Sequence, residues 1–326
     1  MTASPAPARD DINRAAALLR AGELVALPTE TVYGLGADAA NPDAVAKIFA
    51  AKGRPADHPL IVHLADANNI VNWAREVPKE ALALARAFWP GPLTLILKKE
   101  ADVLDIVTGG QDTVGLRVPD HPVALALLRK FGGGIAAPSA NRFGRISPTT
   151  VAHVREELGE RVAVILDGGP CDVGIESTIL DLSRGEPVIL RPGMIGLDAI
   201  AAVIGRRPRL PQTSDNTPRV SGSLAAHYAP RTPMTIASIE TLVGAPADCA
   251  ILSRTIERPA RLHAMSIQAP VDAQGYAHDL YANLRALDAS GATRILVEDL
   301  PDSPDWDAVR DRLGRAVAGS GDSDET

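Results

Sequence analysis

Aromatic residues are scarce in this chain, with Phe, Trp and Tyr together only 3%. Ala, Val, Leu and Ile must therefore fill the core. A protein that reads single-stranded nucleic acid by stacking bases on aromatic rings is disfavoured. Positive charge is also in deficit. Lys plus Arg number 33 against 40 for Asp plus Glu, a net charge of −7, whereas a dedicated duplex-binding protein carries a basic excess. Only two cysteines occur, Cys171 and Cys249. They make no C-x-x-C pair and cannot build a four-thiolate zinc site, and a reduced, cytoplasmic setting is the simplest expectation. No apolar run reaches the length of about 18 residues that a membrane span needs, and Met1 to Asp10 lacks the apolar region of a signal peptide. The G-x-x-x-x-G-K-[ST] phosphate loop, G-x-G-x-x-G, G-x-S-x-G and H-E-x-x-H are all absent.

What is present is a chain of 326 residues with 46% apolar and 22% charged content, enough for about two domains. Short β-type runs alternate with helical stretches. Asp10 to Ala21 reads as a helix stopped by Gly22, and Asn41-Pro42-Asp43 opens another that runs to about Ala51. Pro78 to Phe88 and Pro122 to Phe131 are further helices. Glu23 to Leu27, Leu60 to Leu64, Leu93 to Leu97, Val114 to Val118, Ile135 to Ala137, Val162 to Leu166, Thr178 to Leu182 and Val188 to Leu190 read as strands. The alternation predicts an α/β layer architecture. Residues 206–233 are rich in Pro, Ser, Thr and Arg, contain one acid, Asp215, and read as a linker. The expected organisation is a domain over 1–205, this linker, and a small domain over 234–326. The small domain has strands at Thr235 to Ala237, Cys249 to Leu252 and Ile295 to Val297, and helices at Tyr276 to Ala289 and Trp306 to Val317. A polar tail, Gly319 to Thr326, follows.

Five polar clusters fall at element ends in the first domain. They are Pro28 to Gly36 (P-T-E-T-V-Y-G-L-G), Lys52-Gly53-Arg54-Pro55 followed by Asp57 to His63, Asp112 to Pro119, Ala137 to Asn141, and Gly174 to Ile179 with Leu190 to Gly193 just after. These are parts for gripping an anion. Lys52 is a point charge suited to phosphate, Arg54 a planar fork, and Gly53 lets backbone approach a ligand. As phosphate grips, both cations are expected to be exposed. Ser139 and Asn141 follow a strand end, where ligands of α/β sheets bind. Arg117 stands in an apolar strand and needs an anionic partner, either a ligand or a protein acid such as Asp120 or Glu30. Each cluster also has a plain structural reading. Lys52 with Arg54 can be a solvated pair, Ser139 with Asn141 a helix cap, His63 a satisfied core histidine, and Glu30 and Glu176 turn caps.

Taken together and in order, these segments resemble the YrdC-type threonylcarbamoyl-AMP synthases. The matching signatures are P-T-E-T-V-Y-G-L-G, K-x-R-P with H-P-L-I-V-H, F-W-P-G-P-L-T at Phe88 to Thr94, G-L-R-V-P, P-S-A-N and E-S-T-I, spread over residues 12–205. His227-Tyr228-Ala229-Pro230 fits the linker of the longer, two-domain form. The resemblance implies a YrdC-like twisted mixed sheet with helices around a concave active-site cavity, plus a small Rossmann-like C-terminal domain. It implies condensation of L-threonine, bicarbonate and ATP, with magnesium, to threonylcarbamoyl-AMP and pyrophosphate. The adenylate then passes to a separate tRNA threonylcarbamoyltransferase complex, so tRNA is at most an indirect partner and no membrane is involved. By resemblance, Lys52, Arg54, Ser139 and Asn141 form the catalytic set. Arg54, His58, Thr113, Ser139, Ser147, Arg191 and Tyr228 match ATP-binding positions, Tyr228 closing over the site. Thr31, His63, Arg117, Ala137 and Ser177 match threonine-binding positions. No metal ligand is assigned. The family linker carries S-P-G-M where Val220-Ser221-Gly222-Ser223 stands here, and His58 stands where Asn is common. The alternative from a different class is a non-catalytic RNA-binding protein on the same fold, with Arg142, Arg145, Arg206, Arg207 and Arg209 as its basic rim.

Overall fold

A computed structural model describes residues 9–212, 217–256 and 265–321. Asp215 of the expected linker and residues 322–326 of the polar tail lie outside them. The chain divides into two compact units: Met1–Phe143, Pro148–Asp172 and Glu176–Ser223 form one, and Gly144–Ser147, Val173–Ile175 and Leu224–Thr326 the other. Residues up to Ser223 of the expected linker thus count with the first unit and those from Leu224 with the second.

The first unit is built on nine strands: β1 (Val25–Leu27), β2 (Gly34–Asp38), β3 (Ile61–His63), β4 (Leu93–Lys98), β5 (Thr113–Arg117), β6 (Ile135–Ala136), β7 (Val164–Ile165), β8 (Thr178–Asp181) and β9 (Val188–Arg191). They form one mixed sheet in the order β7-β1-β2-β6-β3-β5-β4-β8-β9. Its helices are α1 (Arg9–Arg20), α2 (Pro42–Lys52), α3 (Lys79–Phe88), α4 (Asp105–Thr108), α5 (Pro122–Phe131), α6 (Val151–Leu158) and α7 (Leu197–Ile204). Local chemistry explains their ends. Asn41 caps α2 by accepting from Asp43 N and Ala44 N, Pro42 fills the first turn, and Gly53 stops it at φ 63° in the left-handed region. Pro122 opens α5 and Gly132 closes it.

Four elements of this unit are missing from the sequence reading: β2, α4, α6 and α7. β2 is hidden by its glycines, which pack rather than turn. A Cβ at Gly36 would come 2.9 Å from both Ile135 Cγ2 and Leu27 Cδ2. Gly34-Leu35-Gly36 is thus a strand pressed against its neighbours and no fragment of a dinucleotide loop.

The two faces of the sheet differ. Residues alternate faces along a strand. Ala26, Val62, Leu95, Leu97, Leu116 and Leu180 share one large core with residues of α2, α3 and α6. On the opposite face, Val25, Leu27, Ile135 and Ala137 pack with α1 and α5 in a second core. Further along that face, Ile96 and Ile179 pack with Val220 from the expected linker, with Ile61 and Leu190 against them. Between these patches the same alternation sets His63, Thr94, Thr113 and Arg117 on this second face. It is there, beside a buried strand, that the polar side chains collect.

The second unit is a four-stranded parallel sheet of β10 (Met234–Ala237), β11 (Cys249–Ser253), β12 (Ser266–Gln268) and β13 (Arg294–Glu298), ordered β10-β13-β11-β12. α8 (Ile239–Val243), α9 (Ala273–Asp288) and α10 (Asp307–Gly319) connect and follow the strands. Gly319 of the expected tail is the last residue of α10. Among the described residues no helix is long and apolar enough to cross a membrane.

Gly36→Val is expected to destabilise the protein by roughly 1–3 kcal/mol through overpacking against Ile135 and Leu27. Urea denaturation at constant slope checks it, and an unchanged midpoint would contradict the packing account.

Candidate active site

The C-terminal end of β5 brings a cation into the sheet. Arg117 is 4% exposed, so its charge needs a counter-ion. Glu30, equally buried, supplies it. Arg117 Nη2 lies 2.6 Å from Glu30 Oε1, a charge contact that is not aligned along an N–H direction. Glu30 Oε2 accepts from Asp120 N at 3.0 Å. Arg117 Nη1 donates to Thr31 Oγ1 at 3.0 Å and Nε to the Gly91 carbonyl at 3.2 Å. Of the two protein acids left open by sequence, Glu30 pairs with the guanidinium, and Asp120 contributes only its backbone. Thr31 is held in turn by Thr29, whose hydroxyl lies 2.8 Å from Thr31 Oγ1 and caps the turn.

His63 is the register partner of Arg117 across β3 and β5. Burial, and then the Arg117 charge, pushes its pKa down from 6.5 to about 3, so the ring is neutral. Its Nδ1 has no partner among the described residues. Ser177 sits on the other side of this face. Its hydroxyl lies 2.8 Å from Thr94 Oγ1 and accepts from Arg191 Nη2 at 3.1 Å. Arg191 also donates to the Ser177 carbonyl and, at 2.8 Å, to the carbonyl of Ser221. One arginine thereby ties the E-S-T-I segment to the segment 219–221. Val220 rests so closely on the sheet that the gap beside Thr113, Gly115 and Gln111 is about 10 Å³. Thr113 is buried under it.

A second set of cations gathers where α2 ends. Lys52 and Arg54 are both buried, not exposed as phosphate grips were expected to be. Lys52 Nζ donates to the carbonyls of Ser139 and Asn141. These carbonyls stand at the P-S-A-N turn, which is itself fixed on the first motif: Leu35 N donates to Pro138 O and Ala140 N to Tyr33 O, both at 2.8 Å. Ala137 N donates to Ile61 O. Burial, and then the neighbouring Arg54, lowers the Lys52 pKa well below its ordinary value, with Glu157 opposing. Arg54 Nη2 donates to the Pro59 carbonyl at 2.9 Å, and its guanidinium lies over the Phe143 ring. The His58 ring meets the edge of the same phenyl at 5.3 Å. Burial and Arg54 lower the His58 pKa as well. An anion placed here would relieve the repulsion between Lys52 and Arg54 and raise the basicity of Lys52.

The first unit therefore brings together Thr31, His63 and Arg117, Ser177 with Arg191, and Lys52 with Arg54, His58, Ser139 and Asn141. Ser147 and Tyr228 belong to the second unit. There Tyr228, at φ 61°, packs against His227 and Tyr281 and under the Arg312 guanidinium. Sequence reasoning missed Thr94 as the partner of Ser177 and Phe143 as the platform of Arg54 and His58. A phenylalanine two residues past Asn141 in so aromatic-poor a chain was the available signal. Cys171 is buried near Glu30, and burial and that charge raise its thiol pKa, so it offers no nucleophile. Among the described residues no group of three or more His, Cys, Asp or Glu gathers to hold a metal. Of the expected basic rim, Arg206 is paired with Glu80 and Glu186, and Arg207 with Asp198 at 2.8 Å.

Comparison with known proteins agrees with this architecture. The Sua5/YciO/YrdC family, described as "Telomere recombination", matches residues 17–193, and "Threonylcarbamoyl-AMP synthase, C-terminal domain" matches residues 195–318. A Bacillus subtilis threonylcarbamoyl-AMP synthase is 42% identical over 94% of this chain and 93% of its own length. Its counterpart in Schizosaccharomyces pombe is 35% identical over 96% of this chain and 90% of its own. The structure of Pyrococcus abyssi Sua5 complexed with L-threonine superposes with a TM-score of 0.86 at 39% identity, covering 94% of each chain. By fold, by its buried cations and by these relatives, the chain belongs to the Sua5/YrdC family of threonylcarbamoyl-AMP synthases.

Proposed function

We propose that this chain condenses L-threonine, bicarbonate and ATP into threonylcarbamoyl-AMP, releasing pyrophosphate and water. The observation that carries this reading is the pairing, in one unit, of a buried cationic cluster at Lys52 and Arg54 with a small polar cluster around Arg117. The first suits a triphosphate and the second an amino acid. The relative solved with L-threonine supports the second half.

On this reading the threonine amine takes up bicarbonate with loss of water, giving an N-carboxylate. One carboxylate oxygen then attacks the α-phosphorus, and the bond to the β,γ-diphosphate breaks, so pyrophosphate departs with its electron pair. Such a displacement needs alignment and charge neutralisation rather than a protein nucleophile. Lys52 and Arg54 neutralise the phosphates, while the Ser139 to Asn141 turn aligns them. The N–H groups of Arg117 not already committed to Thr31, Gly91 and Glu30 take the threonine carboxylate. His63, kept neutral, and Ser177 complete the amino-acid side. Thr113, Arg191, His58, Ser147 and Tyr228 are assigned to the nucleotide, and the backbone at Ala137 to threonine. Magnesium enters as MgATP, as part of the substrate, and no residue here is assigned to it. The product serves a separate tRNA threonylcarbamoyltransferase. The pairing of Arg206 and Arg207 with acids disfavours the RNA-binding alternative.

The direct test is pyrophosphate release from the purified chain with MgATP and bicarbonate, with and without L-threonine. Release independent of threonine would sink the proposal. In the same assay, Lys52→Ala and Arg54→Ala are each expected to lower turnover by about 10²–10³-fold, with circular dichroism confirming that the fold persists. Glu30→Gln leaves Arg117 buried without a counter-charge and is expected to cost about 3 kcal/mol or more of stability. Saturating L-threonine should recover more of that loss than it adds to the unaltered protein, because its carboxylate replaces the missing charge; equal threonine effects in thermal shift would contradict the assignment of Arg117.

His63 gives a pH prediction. Its native pKa of about 3 lies below the unfolded value of 6.5, so between these limits the unfolded chain binds a proton that the native chain does not. Stability therefore falls as pH drops through that window, by at most about 1.4 kcal/mol per pH unit from this group. Denaturant titrations of His63→Asn should show a shallower acid loss than the parent chain over the same range. Parallel curves would show that His63 titrates normally.

A further inference from the structure

The first unit carries a second cleft, of about 440 Å³, walled by Asn69, Asn72, Trp73, Arg129 and the turn Gly132 to Gly134. Its wall draws on both cores, Leu64 from the large one and Leu128 from the second, and contains none of the residues placed in the candidate active site. The cleft is thus separate from the candidate active site.

Local structure aims its polar groups inward. Asn69 and Asn72 lie three residues apart on the 3-10 turn Ala67–Asn72, where that spacing stacks side chains in line. Trp73 closes the turn, and its indole lies flush on Gly134, where a Cβ would come within 2.3 Å of the ring. Arg129 stands in the last turn of α5. A cation there ordinarily answers the terminal carbonyls of the helix, but those of Leu128, Lys130 and Phe131 are already served by other groups. Arg20 Nη2 donates to the carbonyls of Lys130 and Phe131, and Gly132 N to Leu128 O. Among the described residues, no hydrogen bond or ion pair engages the side chains of Asn69, Asn72, Trp73 or Arg129. No Asp or Glu lines the cleft.

A guanidinium and two carboxamides without a hydrogen-bond partner among the described residues, together with the edge of a half-buried indole, therefore surround a space large enough for a small ligand. A guanidinium without a protein acid selects an oxyanion, phosphate above all. An indole offers a stacking surface for a planar ring, and carboxamides carry the paired donor and acceptor that match a base edge. We propose that this cleft binds a nucleoside monophosphate unit, either free or as the terminal nucleotide of an RNA. The site is independent of the adenylate chemistry proposed above.

The test uses AMP and a 5′-phosphorylated triadenylate RNA as probes, followed by calorimetry and tryptophan fluorescence. It is run on the Lys52→Ala/Arg54→Ala double variant, so that phosphate binding at the candidate active site is suppressed. Saturable binding of at least one probe is expected. Arg129→Glu and Arg129→Gln should each weaken it by about tenfold or more, and Asn69→Ala/Asn72→Ala should weaken it further. Adenosine and inorganic phosphate alone should each bind more weakly than AMP. Binding of AMP with these dependences identifies a free nucleotide, whereas binding of the RNA alone identifies an RNA end. Arg129 is exposed, so its replacement leaves the fold intact by circular dichroism. No saturable binding of either probe, or binding indifferent to both Arg129 variants, would overturn the proposal. Because the probes contain no threonine, failure here leaves the pyrophosphate assay untouched.

Discussion

The buried ion pair between Arg117 and Glu30 is the constraint on which the rest of the first unit's polar architecture depends. A guanidinium at the end of an otherwise apolar strand is tolerable only with a carboxylate at hand. Glu30 reaches it from the loop between β1 and β2, and in doing so fixes that loop over the end of β5. Thr31 then falls within hydrogen-bonding distance of Arg117, and the Asp120 backbone closes on the other carboxylate oxygen. Such a pair is weak evidence for stability, since desolvation consumes most of the Coulomb attraction. Its value is positional. Removing either partner strands a buried charge, so the geometry of the loop and of the strand end are set together.

The cations at the end of α2 obey the opposite logic. Lys52 and Arg54 are like charges, both buried, on either side of Gly53 in the sequence. Carbonyls satisfy them, from Ser139, Asn141 and Pro59, and Phe143 lends its ring face to Arg54. Dipoles of this kind hold cations without neutralising them. Burial, and then the neighbouring Arg54, depresses the basicity of both Lys52 and His58. One cluster is balanced by a buried carboxylate and positions backbone; in the other, carbonyls and a ring face hold two buried cations side by side.

Much of this was legible from residues alone. The ends of α2 follow from Asn41, Pro42 and Gly53, and those of α5 from Pro122 and Gly132, because caps and stops act within one turn. Buried strands announced themselves as short apolar runs, and Arg117 stood out as a charge within one of them. β2 was illegible because its glycines signal turns, whereas here they serve close packing against Ile135 and Leu27, residues distant in sequence. The exposure of Lys52 and Arg54 was misjudged for a related reason. A K-x-R tripeptide carries no record of the P-S-A-N turn that folds over it from almost ninety positions away.

By itself, then, the order of the residues determined most of the elements, the α/β alternation, the family and the candidate polar side chains, since each is written in periodicity, caps or short motifs. Only the tertiary structure decided that Glu30 rather than Asp120 balances Arg117, that Thr94 rather than solvent meets Ser177, and that Val220 lies on the sheet beside Thr113. It also decided that Tyr228 belongs to the second unit, against Tyr281 and Arg312. The reason is common to all of them. A counter-ion or a packing partner is chosen by proximity after folding, and here the chosen partners lie far apart along the chain, 86 positions for Arg117 and Thr31 and 83 for Thr94 and Ser177.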